Sequence, residues 1–154
     1  MPLIDPPLTP EEREGMFSHA RALKGTPWRH QGHTERGVDC LGFVWLVLYR
    51  TVLASRGVKL PMPRTDYGRT PHNNKLHDGL VEWLGDPVTD APRPGDVAVL
   101  RWTGDAHHVA IVVPHPFHGL GLIHADNSAA GGPRVVEHGW DYVWDRRFVE
   151  AFRP

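Results

Sequence analysis

Hydrophobic residues in the first half of the chain recur at helical spacing. From Leu41 to Val52, apolar side chains occupy the i, i+3, i+4 and i+7 positions and several positions between them. A helix that is apolar on nearly every side is typical of the buried centre of a domain. Thr9 followed by Pro10 and two acidic residues indicates a helix start, and Gly57 indicates a helix end. The pattern predicts three helices, over residues 9–23, 39–57 and 73–84.

The second half of the chain, from Pro92 onward, has a strand pattern. Short β-branched runs stand between Gly, Pro and Asp residues, as in strands joined by tight turns. The predicted strands cover residues 96–102, 108–113, 121–125, 134–137 and 147–152. Residues 28–38 are polar without a clear period and are predicted to form a loop. Helices followed by strands indicate an α+β fold, a single domain over residues 1–154, in which an antiparallel sheet packs against the second helix.

Composition narrows the possible function classes. The chain has 154 residues, and 17 Lys and Arg against 18 Asp and Glu give a formal net charge of −1, which argues against nucleic-acid binding by bulk charge. Cys40 is the single cysteine, so no internal disulfide and no cysteine-based metal centre can form. The longest apolar run, residues 41–49, is shorter than the roughly 20 residues of a membrane span. The N-terminal residues lack the features of a secretory signal, so we expect a chain made in the cytoplasm.

Cys40 falls in the first turn of the predicted central helix. Unpaired backbone N–H groups and the helix dipole make that end positive, which favours thiolate over thiol. A thiolate is the nucleophile of thiol enzymes. The alternative is a small buried hydrophobic residue, because free cysteine often has that role.

Two histidines stand inside apolar strand patterns. His108 begins HVAIVV and His124 lies in GLIHA. Because side chains alternate between the two faces of a strand, His108 shares a face with Ala110, and His124 shares a face with Leu122. If the two strands pair as a hairpin, the imidazoles meet and could act as a base and an orienting ring for Cys40. Half-buried structural histidines are the alternative.

Four segments together carry a family resemblance. They are DCLGFVW at 39–45, PGDVAVL at 94–100, HHVAIVV at 107–113 and LIHAD at 122–126. In this order and spacing, over about residues 23–137, the chain resembles the NlpC/P60 family of papain-like cysteine peptidases. Residues 25–45 also resemble its phage-tail and gene-transfer-agent branch of small cell-wall peptidases. The resemblance implies a papain-like NlpC/P60 fold, with the cysteine-bearing helix packed on an antiparallel sheet.

The resemblance implies a role for each candidate residue. Cys40 would be the nucleophile, His108 the general base, and His124 the residue that orients His108. The implied reaction is amide hydrolysis in peptidoglycan stem peptides, commonly between D-glutamate and a diamino acid, through an acyl-enzyme. The oxyanion would lie against backbone N–H groups at the helix start. The resemblance implies no cofactor and no metal.

The chain departs from the family pattern at three positions, one of which is Ala110 where the family commonly has Gly. Leu41 follows Cys40 where the family has Ser, and Trp28 stands about twelve residues before the cysteine where the family often has Tyr. Trp28 can donate from its indole N–H but carries no hydroxyl, so we expect it to form a wall of the cleft. Gln31 and Asp39 are expected to bind substrate beside it.

Other residues are given weaker interpretations. Asp96 after Gly95 is expected to serve a turn or a strand start, and Trp102 and Trp144 are expected to serve packing. The sequence assigns no role to His138 or to the remaining histidines of loops and helix faces.

Alternative functions remain open on the same residues. The chain could be a non-enzymatic tail-tip module of the same fold, or a thiol amidase or acyltransferase. His30, His33 and His107 could form a zinc site with the two strand histidines, although no recognised ligand spacing is present. On the peptidase interpretation we expect a stem peptide and tail-tip or hub proteins as partners, with no nucleic acid and no membrane span. The expected setting is a virion or tail-like particle that acts in the periplasm or cell wall.

Overall fold

The fold consists of helices followed by a five-stranded sheet. It is given by a computed structural model that describes residues 2–61, 75–102 and 107–154. The elements are α1 (Pro10–Ala22), β1 (His33–Thr34), β2 (Gly37–Val38), α2 (Cys40–Arg56), α3 (Lys75–Leu84), β3 (Val97–Leu100), β4 (His108–His115), β5 (Gly119–Asp126), β6 (Arg134–Gly139), α4 (Tyr142–Arg147) and β7 (Phe148–Phe152). The α+β class and the order of the elements are as predicted.

The two long helices begin and end at residues that satisfy their backbone groups. Thr9 and Glu12 form a capping box at the start of α1, which satisfies two exposed donors reciprocally. Asp39 caps α2, and Gly57 ends it in the left-handed region at φ 66°. Most of α2 is buried, which confirms the predicted central helix.

The sheet has the strand order β6-β5-β4-β3-β7, and every neighbouring pair is antiparallel. One face belongs to the main core with α1 and α2, through residues such as Val109 and Ile123. The other face carries a smaller cluster that includes Ala110 and Leu122, beneath Trp144 of α4. The alternation in β4 therefore matches the prediction and places the His108 side chain on the smaller face.

Two local features differ from the predicted elements, and part of a third lies outside the described residues. A two-stranded hairpin of β1 and β2 stands within residues 28–38, where a loop is predicted. The third helix begins at Lys75 in the structure, and the predicted residues 73 and 74 lie outside the described residues. The short helix α4 is absent from the prediction, which assigned Arg147 to the last strand. Asp141 caps α4 by accepting from the N–H groups of Val143 and Trp144, and six residues are too few to show a helical period.

Two ion pairs, one with a fully buried carboxylate, join distant parts of the chain. Asp96 is fully buried, and its two oxygens accept from Arg153 Nε at 2.8 Å and Arg153 Nη2 at 2.9 Å. Glu12, at the start of α1, accepts from Arg56 Nε and Nη2 at 2.8 Å each, at the end of α2. The first pair fixes the chain after β7 to the start of β3, and the second holds α1 against α2.

Candidate active site

The start of α2 is held by a network of backbone contacts. Asp39 Oδ1 accepts from the Gly42 N–H at 2.8 Å, and Oδ2 accepts from the Gln31 N–H at 2.9 Å. The Asp39 N–H in turn donates to the Gly32 carbonyl oxygen at 3.1 Å. Gln31 has a left-handed backbone with φ 59°, a conformation that the Asp39 carboxylate helps to hold. These contacts press the turn at residues 29–32 against the first turn of α2, where Cys40 lies.

Gly42 makes this close approach possible. A Cβ atom at this position would overlap the Gly32 carbonyl oxygen, and it would lie 2.9 Å from the Gly32 carbonyl carbon. No side chain fits there unless the turn moves. The sequence pattern alone does not reveal this contact, because it depends on where the turn at Gly32 folds back against the helix.

The thiol of Cys40 lies among backbone donors, and the residue is partly buried against the main core. Burial raises the pKa of Cys40 to about 12, and the charge of Asp39 adds to the rise. The backbone N–H groups of Val109, Leu41 and Cys40 interact with the sulfur and oppose the rise. The expectation that the helix start favours the thiolate therefore does not hold in the free protein. The Val109 contact brings the sulfur to the strand position next to His108.

The two strand histidines meet as predicted. Nε2 of His108 and Nδ1 of His124 are 2.7 Å apart, and the two rings are nearly perpendicular. The register pairs Ile111 with Ile123, so His124 lies diagonally across from His108 on the same face. His124 is completely buried, and His108 is 9% exposed. The hydrogen bond between the rings is therefore almost fully shielded from water.

A third histidine, His138 on β6, extends this pair. Its Nε2 lies 2.7 Å from Nε2 of His124, and its Nδ1 lies 2.9 Å from the Gly139 carbonyl oxygen. Leu122 pairs with His138 across β5 and β6, which places His138 diagonal to His124 on the same face. Sequence reasoning missed it because the predicted strand ended at residue 137. Extending the alternation by one residue would have placed His138 on the face of the other two histidines.

Two tryptophans and an arginine cover the three histidines. Trp102 meets His108 edge-on with ring centroids 5.2 Å apart. Trp144 lies 4.5 Å from His138 and 5.1 Å from His124. The Arg147 guanidinium is 4.7 Å from the ring of each tryptophan, a cation–π arrangement on both sides. Both tryptophans serve packing, as expected, but they pack on the site histidines.

Burial keeps the imidazoles of His108 and His124 neutral. It lowers the pKa of His108 to about 3, and electrostatic interactions with His107, His138 and Arg147 lower it further. The pKa of His124 also lies well below its ordinary value, first because of burial and then because of His108. At neutral pH the free site therefore holds a thiol beside a neutral imidazole. An ion pair does not form until the proton moves.

The residues predicted to bind substrate lie around the start of α2. Trp28 is half-buried at the edge of the main core and stacks on His30, with ring centroids 6.4 Å apart. Gln31 is partly exposed. Asp39 is only 4% exposed and acts as the helix cap described above, so its observed contacts position the first turn of α2. Direct contact of these three residues with substrate stays a prediction.

The described residues contain neither a metal-binding cluster nor a membrane-spanning helix. Within residues 2–61, 75–102 and 107–154, no three His, Cys, Asp or Glu side chains are grouped in a way that could hold a metal ion. In the same part of the chain, no helix has the length and apolar character needed to cross a membrane.

The fold and the site define a papain-like α+β domain with a cysteine at a helix start beside a strand histidine. The NlpC/P60 family matches residues 25–151. The chain belongs to this family.

Three known proteins resemble this chain in sequence or in fold. Over 41 residues the chain is 44% identical to the probable peptidoglycan endopeptidase LytE of Bacillus subtilis, a match that spans 27% of this chain and 12% of that protein. The crystal structure of the NlpC/P60 domain of the peptidoglycan hydrolase SagA superposes with a TM-score of 0.52 at 19% identity, covering 92% of this chain and 98% of that one. An NlpC/P60 family protein of Bacillus cereus superposes with a TM-score of 0.57 at 17% identity, covering 96% and 41%. At these identities the structural likeness concerns the fold alone.

Proposed function

We propose that this protein is a cysteine peptidase that hydrolyses amide bonds in peptidoglycan stem peptides. One arrangement carries the proposal. The Cys40 sulfur interacts with the backbone N–H of Val109, directly after His108, and His108 is hydrogen-bonded to His124 at 2.7 Å. This is the nucleophile, base and orienting group that thiol catalysis needs. Membership of the NlpC/P60 family and the local identity to the probable peptidoglycan endopeptidase LytE support peptidoglycan as the substrate.

The reaction begins with a proton transfer, because thiol and imidazole are both neutral at rest. Nε2 of His108 is engaged by His124, so Nδ1 takes the proton from the Cys40 thiol as the sulfur attacks the carbonyl carbon. The oxyanion forms beside the N–H groups of Cys40 and Leu41 at the start of α2, where the helix dipole also stabilises negative charge. The next N–H of the helix, that of Gly42, already donates to Asp39 Oδ1.

The tetrahedral intermediate then breaks its C–N bond. His108 gives its proton to the leaving amine, and a thioester remains on Cys40. A water molecule, which His108 deprotonates, attacks the thioester carbon. This second step releases the carboxylic acid and returns the proton to the sulfur, so the enzyme ends as it began.

Two finer features belong to the same proposal. The scissile bond is the one between D-glutamate and the diamino acid of the stem peptide. The setting is a phage tail or tail-like particle such as a gene transfer agent, made in the cytoplasm and carried to the periplasm or cell wall with tail-tip or hub proteins. Residues 25–45 support this setting through their resemblance to that branch of the family.

The test is hydrolysis of purified stem peptides that contain the D-glutamate–diamino acid bond, followed by mass spectrometry. We expect wild-type protein to release two fragments, and we expect Cys40→Ala and His108→Ala to release none. His77→Ala is a matched histidine control, because His77 lies on α3 and pairs with Glu150 at 2.6 Å. Circular dichroism of all variants shows whether the fold is kept. Hydrolysis by Cys40→Ala would overturn the mechanism.

The same assay separates the other functions. Transfer of the acyl fragment to an added amine, without free acid, would identify an acyltransferase. A folded wild-type protein that cleaves no stem peptide and does not form a thioester would identify a non-enzymatic module. For the setting, purified tail-like particles that lack the chain would overturn the particle assignment.

A further inference from the structure

The three buried histidines form a hydrogen-bonded chain that ends at a backbone carbonyl. The links run from His108 to His124 at 2.7 Å, from His124 to His138 at 2.7 Å, and from His138 to the Gly139 oxygen at 2.9 Å. A neutral imidazole has one N–H donor and one bare nitrogen acceptor. A carbonyl oxygen only accepts. The carbonyl at the end therefore sets the direction of every hydrogen bond in the chain.

The direction of donation follows from that end. His138 must carry its proton on Nδ1 to donate to the Gly139 oxygen, which leaves its Nε2 bare. His124 must then donate from Nε2 to His138, which leaves its Nδ1 bare. His108 must donate from Nε2 to His124, so its Nδ1 is bare as well. That last nitrogen is the one left to take a proton from Cys40.

The surroundings of the histidine chain preserve this placement of the ring protons. His124 is completely buried, so water does not reach it to offer an alternative partner. Trp144 packs on both His124 and His138. Burial also lowers the pKa of His108 and of His124, which keeps those rings in the neutral form that the chain requires.

We propose that His138 is a positioning residue that fixes the tautomer of His108 through His124, so that Nδ1 of His108 is unprotonated when it faces the Cys40 thiol. This inference rests on the proposed function, since it names the group that prepares the base for the same reaction. His138 itself contacts neither the thiol nor the substrate in this scheme. Its effect lies in the rate of the chemical step, and substrate binding is unchanged.

Two substitutions separate positioning from packing. His138→Phe keeps an aromatic ring against Trp144 but removes the acceptor for His124. His138→Gln loses the ring but offers a side-chain oxygen near the former Nε2 position. If His138 only packs, Phe should preserve activity better than Gln. If it sets the tautomer, Gln should preserve activity and Phe should lose it.

We expect His138→Phe to lower kcat about 10-fold to 100-fold with little change in KM, the range found when outer partners of metal-bound histidines are removed. His138→Gln should recover most of the wild-type kcat. A His138→Phe variant with wild-type kcat would overturn the inference. So would a His138→Gln variant as slow as His138→Phe, because the acceptor would then be irrelevant.

Nitrogen-15 NMR of histidine-labelled wild-type protein gives a measurement that does not depend on substrate or on any variant folding. Protonated and bare ring nitrogens have well-separated shifts. We expect the proton on Nδ1 in His138 and on Nε2 in both His124 and His108. A proton on Nε2 of His138 would overturn the inference. Failure of the proposed function would appear separately, as absence of hydrolysis by the wild-type protein.

Discussion

Replacing Gly42 by Ala tests whether close backbone contact holds the nucleophile in place. Helix propensity alone would make Ala stabilising by about 0.5–1 kcal/mol. The new Cβ, however, would overlap the Gly32 carbonyl oxygen and lie 3.1 Å from Asp39 Oδ1. Moving the turn away loses the Gly32–Asp39 hydrogen bond, about 0.5–1.5 kcal/mol, and adds overpacking of about 1–3 kcal/mol. We expect a net loss in the free energy of unfolding of about 0.5–4 kcal/mol.

Activity should fall further than stability in this variant. Cys40 lies two residues before Gly42, and a displacement of about 1 Å in a reacting group can cost about 100-fold in rate. Urea denaturation gives the change in the free energy of unfolding, and stem-peptide hydrolysis at a temperature where both proteins are folded gives kcat.

Gly15→Ala on α1 is the matched control, because nothing lies within 4 Å of a Cβ built there. It should be stabilised by up to about 1 kcal/mol and keep wild-type kcat. If Gly42→Ala were as stable and as active as Gly15→Ala, the close contact at the helix start would have no role and the reasoning would be refuted.

Three further changes have expected outcomes. His108→Ala should abolish hydrolysis, whereas His124→Ala should keep a reduced kcat, because an orienting group matters less than the base. Equal rates of the two variants in stem-peptide assays would contradict this expectation. Arg153→Ala leaves the fully buried carboxylate of Asp96 unpaired and should lower the free energy of unfolding by about 3–5 kcal/mol. A loss below about 1 kcal/mol would contradict this expectation and show that water replaces the arginine. The ion pair with Arg56 lowers the pKa of Glu12 well below its ordinary value of 4.5. The stabilisation that this pair provides is therefore present above pH 4.5 and is lost as the pH falls below that value. Urea denaturation should therefore show a Glu12→Gln penalty at pH 7 that shrinks by pH 3, and a penalty equal at both pH values would contradict the assignment.

The sequence predicted those features that depend on periodicity over many residues. The apolar positions around α2 predicted a buried helix, and alternation in β4 and β5 predicted that His108 and His124 share a face. Both depend on the regular geometry of helices and strands. The first turn of α2 was also placed correctly, because Asp39 is a strong N-cap and its position fixes that of Cys40.

Other features could not be predicted because they depend on contacts between distant segments. The place of His138 depends on the length and register of β6, and the predicted strand, which ended two residues too early, left it out of the site. The state of the Cys40 thiol depends on burial, which outweighs the helix dipole that sequence reasoning considered. The close contact at Gly42 depends on where the turn at Gly32 folds back, and no local pattern specifies it.

The two faces of the sheet imply two levels of stability. The face against α1 and α2 belongs to the main core, whereas the face bearing the histidines is covered by the six-residue helix α4, which has no buried residue. Segments with few buried contacts open at free energies far below that of global unfolding. The backbone amides of α4 should therefore exchange with deuterium much faster than those of α2. The histidine chain can thus gain brief access to water while the main core stays intact.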